Sequence, residues 1–325
     1  MEGAKLILKT LHDAGFEAYI IGGAVRDLLM GVEPHDYDIV TQAKPDQVQE
    51  VMAQAGLETK GLVGKSFGVV IVIAQGNHYE VATYRRERYG ADSHRPELIE
   101  YADTLEEDVL RRDFTVNGMA MDIQGKVIDL VGGQKDLKRK RLGTIGNPVE
   151  RFGEDALRLF RACRFVAKLD FLPTKELQAA MPQAFDRVRG LSLERVRNEL
   201  DTLLLQPAVA KGLDLFVQSK LCNCQCTYND HGHIEYVDIL PELYHLVDLP
   251  QEKQFHEYDG WMHTLASVAH TPADLTLRWA TLLHDVGKGM PGIRGFHKGR
   301  ITDRVHDLKG AEMTAVLLTR LGYNT

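Results

Sequence analysis

Two aspartates one residue apart, Asp36 and Asp38 in His-Asp-Tyr-Asp-Ile-Val, are the first residues along the chain whose types and spacing could do chemistry. On an extended strand, residues i and i+2 leave the same face, so both carboxylates reach one place. Such a pair can hold two Mg²⁺, which activate an attacking hydroxyl and neutralise a triphosphate. Glu80, on a neighbouring predicted strand, would be a third acid. Upstream stands Gly22-Gly23-Ala24-Val25-Arg26-Asp27. Paired glycines between a strand and a helix let backbone N–H groups approach a phosphate at the helix N-terminus, and Arg26 adds a charge-assisted donor. The alternative is a glycine turn followed by two solvated acids, which the two motifs at this separation disfavour.

Three further groups carry chemistry. Arg111-Arg112-Asp113-Phe114-Thr115-Val116-Asn117 could place an Arg and an Asn on triphosphate and ribose oxygens; a helix C-terminus also favours Arg through its dipole. Asp155, Arg158, Arg161 and Arg164 recur every three residues and predict a polar stripe along one helix, facing either a groove or solvent. Cys222, Cys224 and Cys226, with His231 and His233 after them, could bind a soft metal. Their spacing is not that of common zinc modules, and alternate strand residues would produce it equally well. Cys163 reads as a small buried hydrophobe.

The elements that position these groups follow from pattern. Residues 3–14 predict a helix, 16–21 a strand, 24–30 a helix and 35–40 a strand, and Pro45 opens another helix. Residues 69–74 and 78–84 flank a Gln-Gly-Asn turn, and Met119–Ile123 and Val127–Leu130 flank Gln-Gly-Lys, two hairpin signals. Residues 85–97 read as a loop, and Thr104 with Glu107 as a capping box for a helix into Arg111. Residues 151–168, 174–185 and 192–205 then show helical periodicity. The expected fold is an α/β head with a small mixed sheet, followed by an all-α neck and body interrupted by a loop at 222–235.

Composition narrows the class. The 325 residues are 44% hydrophobic and 26% charged, which excludes disorder and a disulfide scaffold. No apolar run reaches the ~18–20 residues of a membrane helix, and the setting expected is cytoplasmic and reducing. The net charge of −7 hides an uneven distribution. Residues 138–197 carry 14 Lys/Arg against 7 Asp/Glu, whereas residues 222–260 carry 1 Lys against 8 acids. Partners respond to such local fields, so a nucleic-acid partner stays open.

GGAVRD…DYD, RRDFTVNGMA and EDALRLFRACRF, in this order and spacing, resemble the bacterial tRNA nucleotidyltransferase (CCA-adding enzyme) and poly(A) polymerase family, whose head is polymerase-β-like. The resemblance covers residues 16 to about 170 closely and the helical remainder loosely. It implies that Gly22, Gly23 and Arg26 bind nucleotide phosphates, that Asp36 and Asp38 ligate Mg²⁺, and that Arg112 and Asn117 contact the nucleotide. Asp155, Arg158, Arg161 and Arg164 would line the nucleotide pocket. An aspartate accepts from an exocyclic amino group and an arginine donates to ring nitrogen or carbonyl, so Asp155 with Arg158 would admit cytosine and adenine and reject uracil and guanine. Gly118 stands where the family more often has Ala, and implies a local packing change.

The resemblance implies partners: the tRNA 3′ end, CTP and ATP, with no membrane. A full-length loop at 85–97 favours the ability to add A. A single basic residue in Gly64-Lys65-Ser66-Phe67 favours CCA addition over poly(A) synthesis. Enzymes adding only A, or a non-catalytic RNA-binding module, are the alternatives. His263 and His284-Asp285 within HDVGKG resemble the HD phosphohydrolase superfamily and would hold a transition metal that activates water; His256, His297 and His306-Asp307 are further candidates. Phosphohydrolysis of nucleotides or 2′,3′-cyclic phosphates is a candidate second activity, but the superfamily's fourth Asp has no obvious counterpart and an inert HD-like scaffold is the favoured reading. The expected organisation is a head at 1–144, a neck at 145–210 that selects nucleotide and binds RNA, and a helical body at 211–325 without the family's C-terminal tail.

Overall fold

Ala4, Ile7, Leu8 and Leu11 recur at helical spacing, and they form the buried face of helix α1 (Glu2–Asp13). The computed structural model describes residues 1–60, 68–88, 98–230, 232–255 and 257–323, without the side chains of 87, 88, 98, 99 and 230. Most of the loop at 85–97, Gly64-Lys65-Ser66-Phe67, His231 and His256 thus lie outside the described residues. The chain divides into two units, Met1–Arg151 and Phe152–Thr325.

The first unit continues with β1 (Ala18–Ile21), α2 (Gly23–Leu29), β2 (Asp38–Thr41), α3 (Pro45–Gln54), β3 (Glu58–Lys60), β4 (Val69–Ala74) and β5 (Asn77–Thr83). Then come β6 (Arg85–Arg88), β7 (Leu98–Tyr101), α4 (Leu105–Leu110), β8 (Met119–Met121), β9 (Val127–Asp129), α5 (Gly133–Lys138) and β10 (Arg141–Leu142). A seven-stranded mixed sheet runs in the order β3-β4-β5-β2-β1-β8-β9. Strands β2 and β5 pair in parallel, and β4–β5 and β8–β9 are the hairpins the turn signals predict. Period-2 alternation gives the sheet two apolar faces. Ile20 and Ile39 join α1 and α3 in one core, while Ile21 and Val40 join Leu105 and Val109 of α4 in the other. The residues 85–88 are a strand rather than loop, paired with β7.

The second unit contains α7 (Leu157–Leu169), preceded across the division by α6 (Pro148–Glu154). It continues with β11 (Leu172–Pro173), α8 (Lys175–Ala180), α9 (Phe185–Val188), α10 (Leu193–Leu204) and α11 (Val209–Gln218). Next are β12 (Gln225–Asp230), β13 (His233–Asp238), α12 (Gly260–His270), α13 (Leu275–Leu283), β14 (Arg294–His297), β15 (Arg300–Asp303) and α14 (His306–Arg320). Gly212 lets α11 lie close on α7, since a Cβ there would meet the Cys163 carbonyl oxygen at 2.5 Å. The expectation of an all-α region is corrected at three places, the first being the two-residue strand β11. Both β12–β13 and β14–β15 are antiparallel hairpins, and β12–β13 replaces most of the loop expected at 222–235. Among the described residues, no helix is long and apolar enough to cross a membrane.

Candidate active site

The acidic pair is built by the edge of β2. The pairing of β1 with β2 sets Asp38 opposite Ile21, one residue before Gly22. Asp36 lies two residues before β2, a correction to the expectation that both aspartates sit in the strand. The alternation nonetheless reaches it: Tyr37 and Ile39 are buried, and Asp36 and Asp38 are exposed. Parallel pairing of Ile39 with Val81 brings Glu80 alongside, and Glu80 is exposed too. Protein crowding one side of the Asp38 carboxylate, then the charges of Asp36 and Glu80, push its pKa up to about 6, with Arg112 pulling the other way. The three acids share one field without converging as tightly as a preformed ligand set. Repulsion of this kind is what a hard divalent cation relieves, and oxygen donors suit Mg²⁺.

Opposite the acids stands Arg112. Its Nε and Nη2 donate to Asp108 Oδ2 at 3.2 and 3.0 Å. Arg111 donates from Nε and Nη2 to Asp108 Oδ1 at 3.0 and 2.7 Å. Asp108 is fully buried. Burial alone would raise its pKa, but the charges of Arg112 and Arg111 outweigh it and hold the carboxylate below its ordinary range. Nη1 of Arg112 remains beside Gly22, where a Cβ would sit 3.4 Å from it. Gly22 has φ 77° and ψ −130°, a conformation for which only glycine is suited, and its N–H donates to the Met119 carbonyl at 3.1 Å.

Arg26 and Asn117, which the resemblance places on the nucleotide, are buried beneath the glycine turn. They are 2% and 7% exposed. Arg26 Nη1 donates to Asn117 Oδ1 at 2.6 Å and Arg26 Nε to Asp27 Oδ1 at 2.8 Å. Asn117 Nδ2 donates to Asp113 Oδ1 at 3.2 Å. The guanidinium also underlies Gly23, whose Cβ would lie 3.4 Å from Nη2. Their bonds fix the glycine turn from within.

In the second unit the predicted continuous stripe is broken. Helix α6 ends at Glu154 and α7 begins at Leu157, so Asp155 lies between them. Its Oδ1 accepts from the Leu157 N–H at 3.0 Å, a local bond that stops helix propagation, and its Oδ2 lies 3.7 Å from Arg195. Arg158 is buried and donates to Glu154 Oε2 at 2.7 Å. Arg164 Nε donates to Glu199 Oε2 at 2.6 Å, Arg161 approaches Glu199 at 3.9 Å, and both guanidinium groups cover the Phe165 ring. The stripe is not a solvated face.

Residues 18–143 match the poly A polymerase head domain, and residues 170–223 match the probable RNA and SrmB-binding site of polymerase A. The CCA-adding enzyme of Bacillus pumilus is 44% identical over 215 residues, 66% of this chain and 52% of that protein. The head, residues 18–143, belongs to the poly A polymerase head-domain family. The chain spans about half the length of the curated relatives it matches. A crystal structure of the Bacillus stearothermophilus CCA-adding enzyme in complex with CTP superposes with a TM-score of 0.69 at 29% identity, covering 99% of this chain and 68% of that one. A tRNA nucleotidyltransferase complexed with a primer tRNA and an incoming ATP analog superposes at 0.59 and 26% identity, over 85% and 74% of the two chains.

The histidine cluster lies beyond the two matched family segments. His263 Nε2 and His284 Nε2 are 3.3 Å apart, and they lie 3.5 and 3.2 Å from Asp285 Oδ2. His306 Nε2 reaches the other oxygen, Oδ1, at 3.5 Å. Among the described residues, His263, His284 and Asp285 are the group whose ligand atoms converge within 4.8 Å. Lys288 Nζ also contacts Asp285 Oδ2, at 2.8 Å. Burial opposes the shift, but His284 and Lys288 hold the Asp285 carboxylate well below the ordinary range. His297 is exposed on β14, and Asp307 is exposed on α14. Among the described residues, the C-x-C-x-C cysteines are not part of a converging ligand group. Cys222 sits in a helical turn, Cys226 lies in β12, and burial pushes all three thiols up to about 12. Cys163 is buried in α7, as expected.

Sequence reasoning missed Asp108, Asp113, Glu199 and Lys288. The spacing of Asp108 to Arg111 and Arg112, i+3 and i+4 on α4, was a usable signal. Glu199 had none, being 35 residues from Arg164.

Proposed function

We propose that the chain is a template-independent nucleotidyltransferase that completes the 3′-CCA end of tRNA from CTP and ATP. The observation that carries this reading is the exposed acidic face of Asp36, Asp38 and Glu80 beside Arg112, in a head of this family. Asp36 and Asp38, with Glu80 near them, would hold Mg²⁺; bound there, it lowers the pKa of the attacking hydroxyl and neutralises the triphosphate. The chain's own contribution is placement. Gly22 and Gly23 admit the phosphates to the backbone, Arg112 supplies positive charge on a shoulder that Asp108 fixes, and Arg26 with Asn117 keeps the turn in place. Asp155 and Arg158 would choose the base, while Arg161 and Arg164 line the pocket. A reducing cytoplasm suits the free cysteines.

The test offers tRNA lacking CCA, ending in C and ending in CC, with CTP and ATP separately and together. CCA addition is expected; extension by A alone or a long A tract would assign the A-adding or poly(A) activity instead. No incorporation on any substrate would sink the proposal.

The convergence of His263, His284 and Asp285 favours a second reading, a transition-metal site for phosphohydrolysis, of which 2′,3′-cyclic phosphates are the substrate class. Hydrolysis is expected to persist in Asp36→Ala/Asp38→Ala and to vanish in His284→Ala.

A further inference from the structure

His284 Nδ1 donates to the Thr281 carbonyl at 2.6 Å. A carbonyl can only accept, so the Nδ1 proton is fixed and Nε2 is the ligand atom, aimed at Asp285. Three atoms about 2.1 Å from one ion at tetrahedral angles stand about 3.4 Å apart. The observed separations among His263 Nε2, His284 Nε2 and Asp285 Oδ2, 3.2 to 3.5 Å, match that spacing. The oxygen they share accepts no hydrogen bond but lies against an ammonium. Lys288 is buried, and its ammonium donates to Gln251 Oε1 at 3.0 Å while lying 2.8 Å from the same Asp285 Oδ2.

We propose that Lys288 is an internal competitor for the metal position, an ammonium that neutralises Asp285 when no ion is bound and weakens the binding of a divalent cation. One carboxylate oxygen serves two cations, and in a buried site an ammonium beside a divalent ion is strongly repelled. Gln251 offers the ammonium a second, neutral acceptor and so keeps it close to Asp285. The inference rests on the second reading above, that this cluster takes a transition metal.

Co²⁺ titration of the whole chain, followed by its visible absorption and by calorimetry, tests it. Lys288→Met is expected to tighten Co²⁺ binding about tenfold or more. Gln251→Glu is expected to tighten it as well, because a carboxylate draws the ammonium from Asp285; this variant keeps the buried ammonium paired and serves if Lys288→Met does not fold. His284→Ala should abolish the absorption band. If the wild-type chain and both variants bind no Co²⁺, the metal reading fails and this inference with it. If the wild type binds and neither variant binds more tightly, the cluster is a metal site and Lys288 does not compete for it.

Discussion

Asp108 sits at the centre of the head's electrostatics although it faces no solvent. Two arginines share its two oxygens, and one of them, Arg112, carries its remaining Nη1 to the glycine turn beside the acids. Removing one partner of a buried ion pair costs about 3–5 kcal/mol, because the other charge is stranded. Asp108→Asn is therefore expected to lower stability by about 3 kcal/mol at pH 7. The pH dependence follows from the sign of the shift. The folded carboxylate titrates below its unfolded value, so its stabilisation is complete above the unfolded value and is lost as pH falls through the folded one. Thermal melts of wild type and variant should converge progressively as pH falls below about 4. A gap that stays constant over that range would refute the assignment. Gly118 is a packing question at the same scale. A Cβ there would lie 2.7 Å from Ile145 Cδ1 and 2.8 Å from Val131 Cγ2, so Gly118→Ala requires both side chains to move. This agrees with the packing change implied by the resemblance.

At the level of elements, what could be read from sequence tracks what is buried on one side. The strands and hairpins of the head alternate because one face of each meets a core, and α1, α7 and α10 carry apolar stripes. Strand β13 has no such face: His233 to Val237 contains no buried residue, so no period of two was available there. The acidic face was legible from Asp36, Asp38 and Glu80. The buried fate of Arg26 was not, because its partner Asn117 is 91 residues away. The break at Asp155 was hidden too, since Gly153 lies inside the last turn of α6 and the break itself is made by an aspartate able to bond its own backbone two residues on. Under the proposed function, that break separates two roles on neighbouring elements. Asp155 keeps Oδ2 beyond hydrogen-bond distance of Arg195, whereas Glu199 of α10 is bound to Arg164. Asp155→Ala should relax the choice among CTP, ATP, UTP and GTP, by about ten- to a hundredfold per lost contact. Glu199→Gln should slow CTP and ATP incorporation alike, since it only positions arginines. Competition assays with all four nucleotides separate the two, and unchanged nucleotide choice in Asp155→Ala would overturn the selection role.

Across the whole molecule, net charge is a poor guide to the partner. The chain carries −7 overall, yet residues 138–197 hold an excess of seven positive charges. Structure refines that excess. The stretch crosses the division at Arg151, so it is not a single neck element. Of its 14 basic side chains, Arg158 is buried and Arg151, Arg161, Arg164, Arg195 and Arg197 are half-buried. The other eight, Lys138 to Arg141 with Lys168, Lys175, Arg187 and Arg189, are exposed. Exposed side chains are the ones that can displace counterions from RNA phosphates, so they and not the formal charge set the salt dependence. If four to six of them engage phosphates, log affinity for tRNA falls with log salt at a slope of about −3 to −5. Charge reversal at Lys138, Arg139, Lys140 and Arg141 together should flatten that slope by about 3 while leaving the acidic face of the head untouched. Filter binding from 50 to 300 mM KCl, about a sixfold range chosen around the salt where such contacts weaken, measures both. A slope near zero in the wild-type chain would mean that RNA is held by contacts other than these, and that the basic stretch is a solubility feature rather than a binding surface.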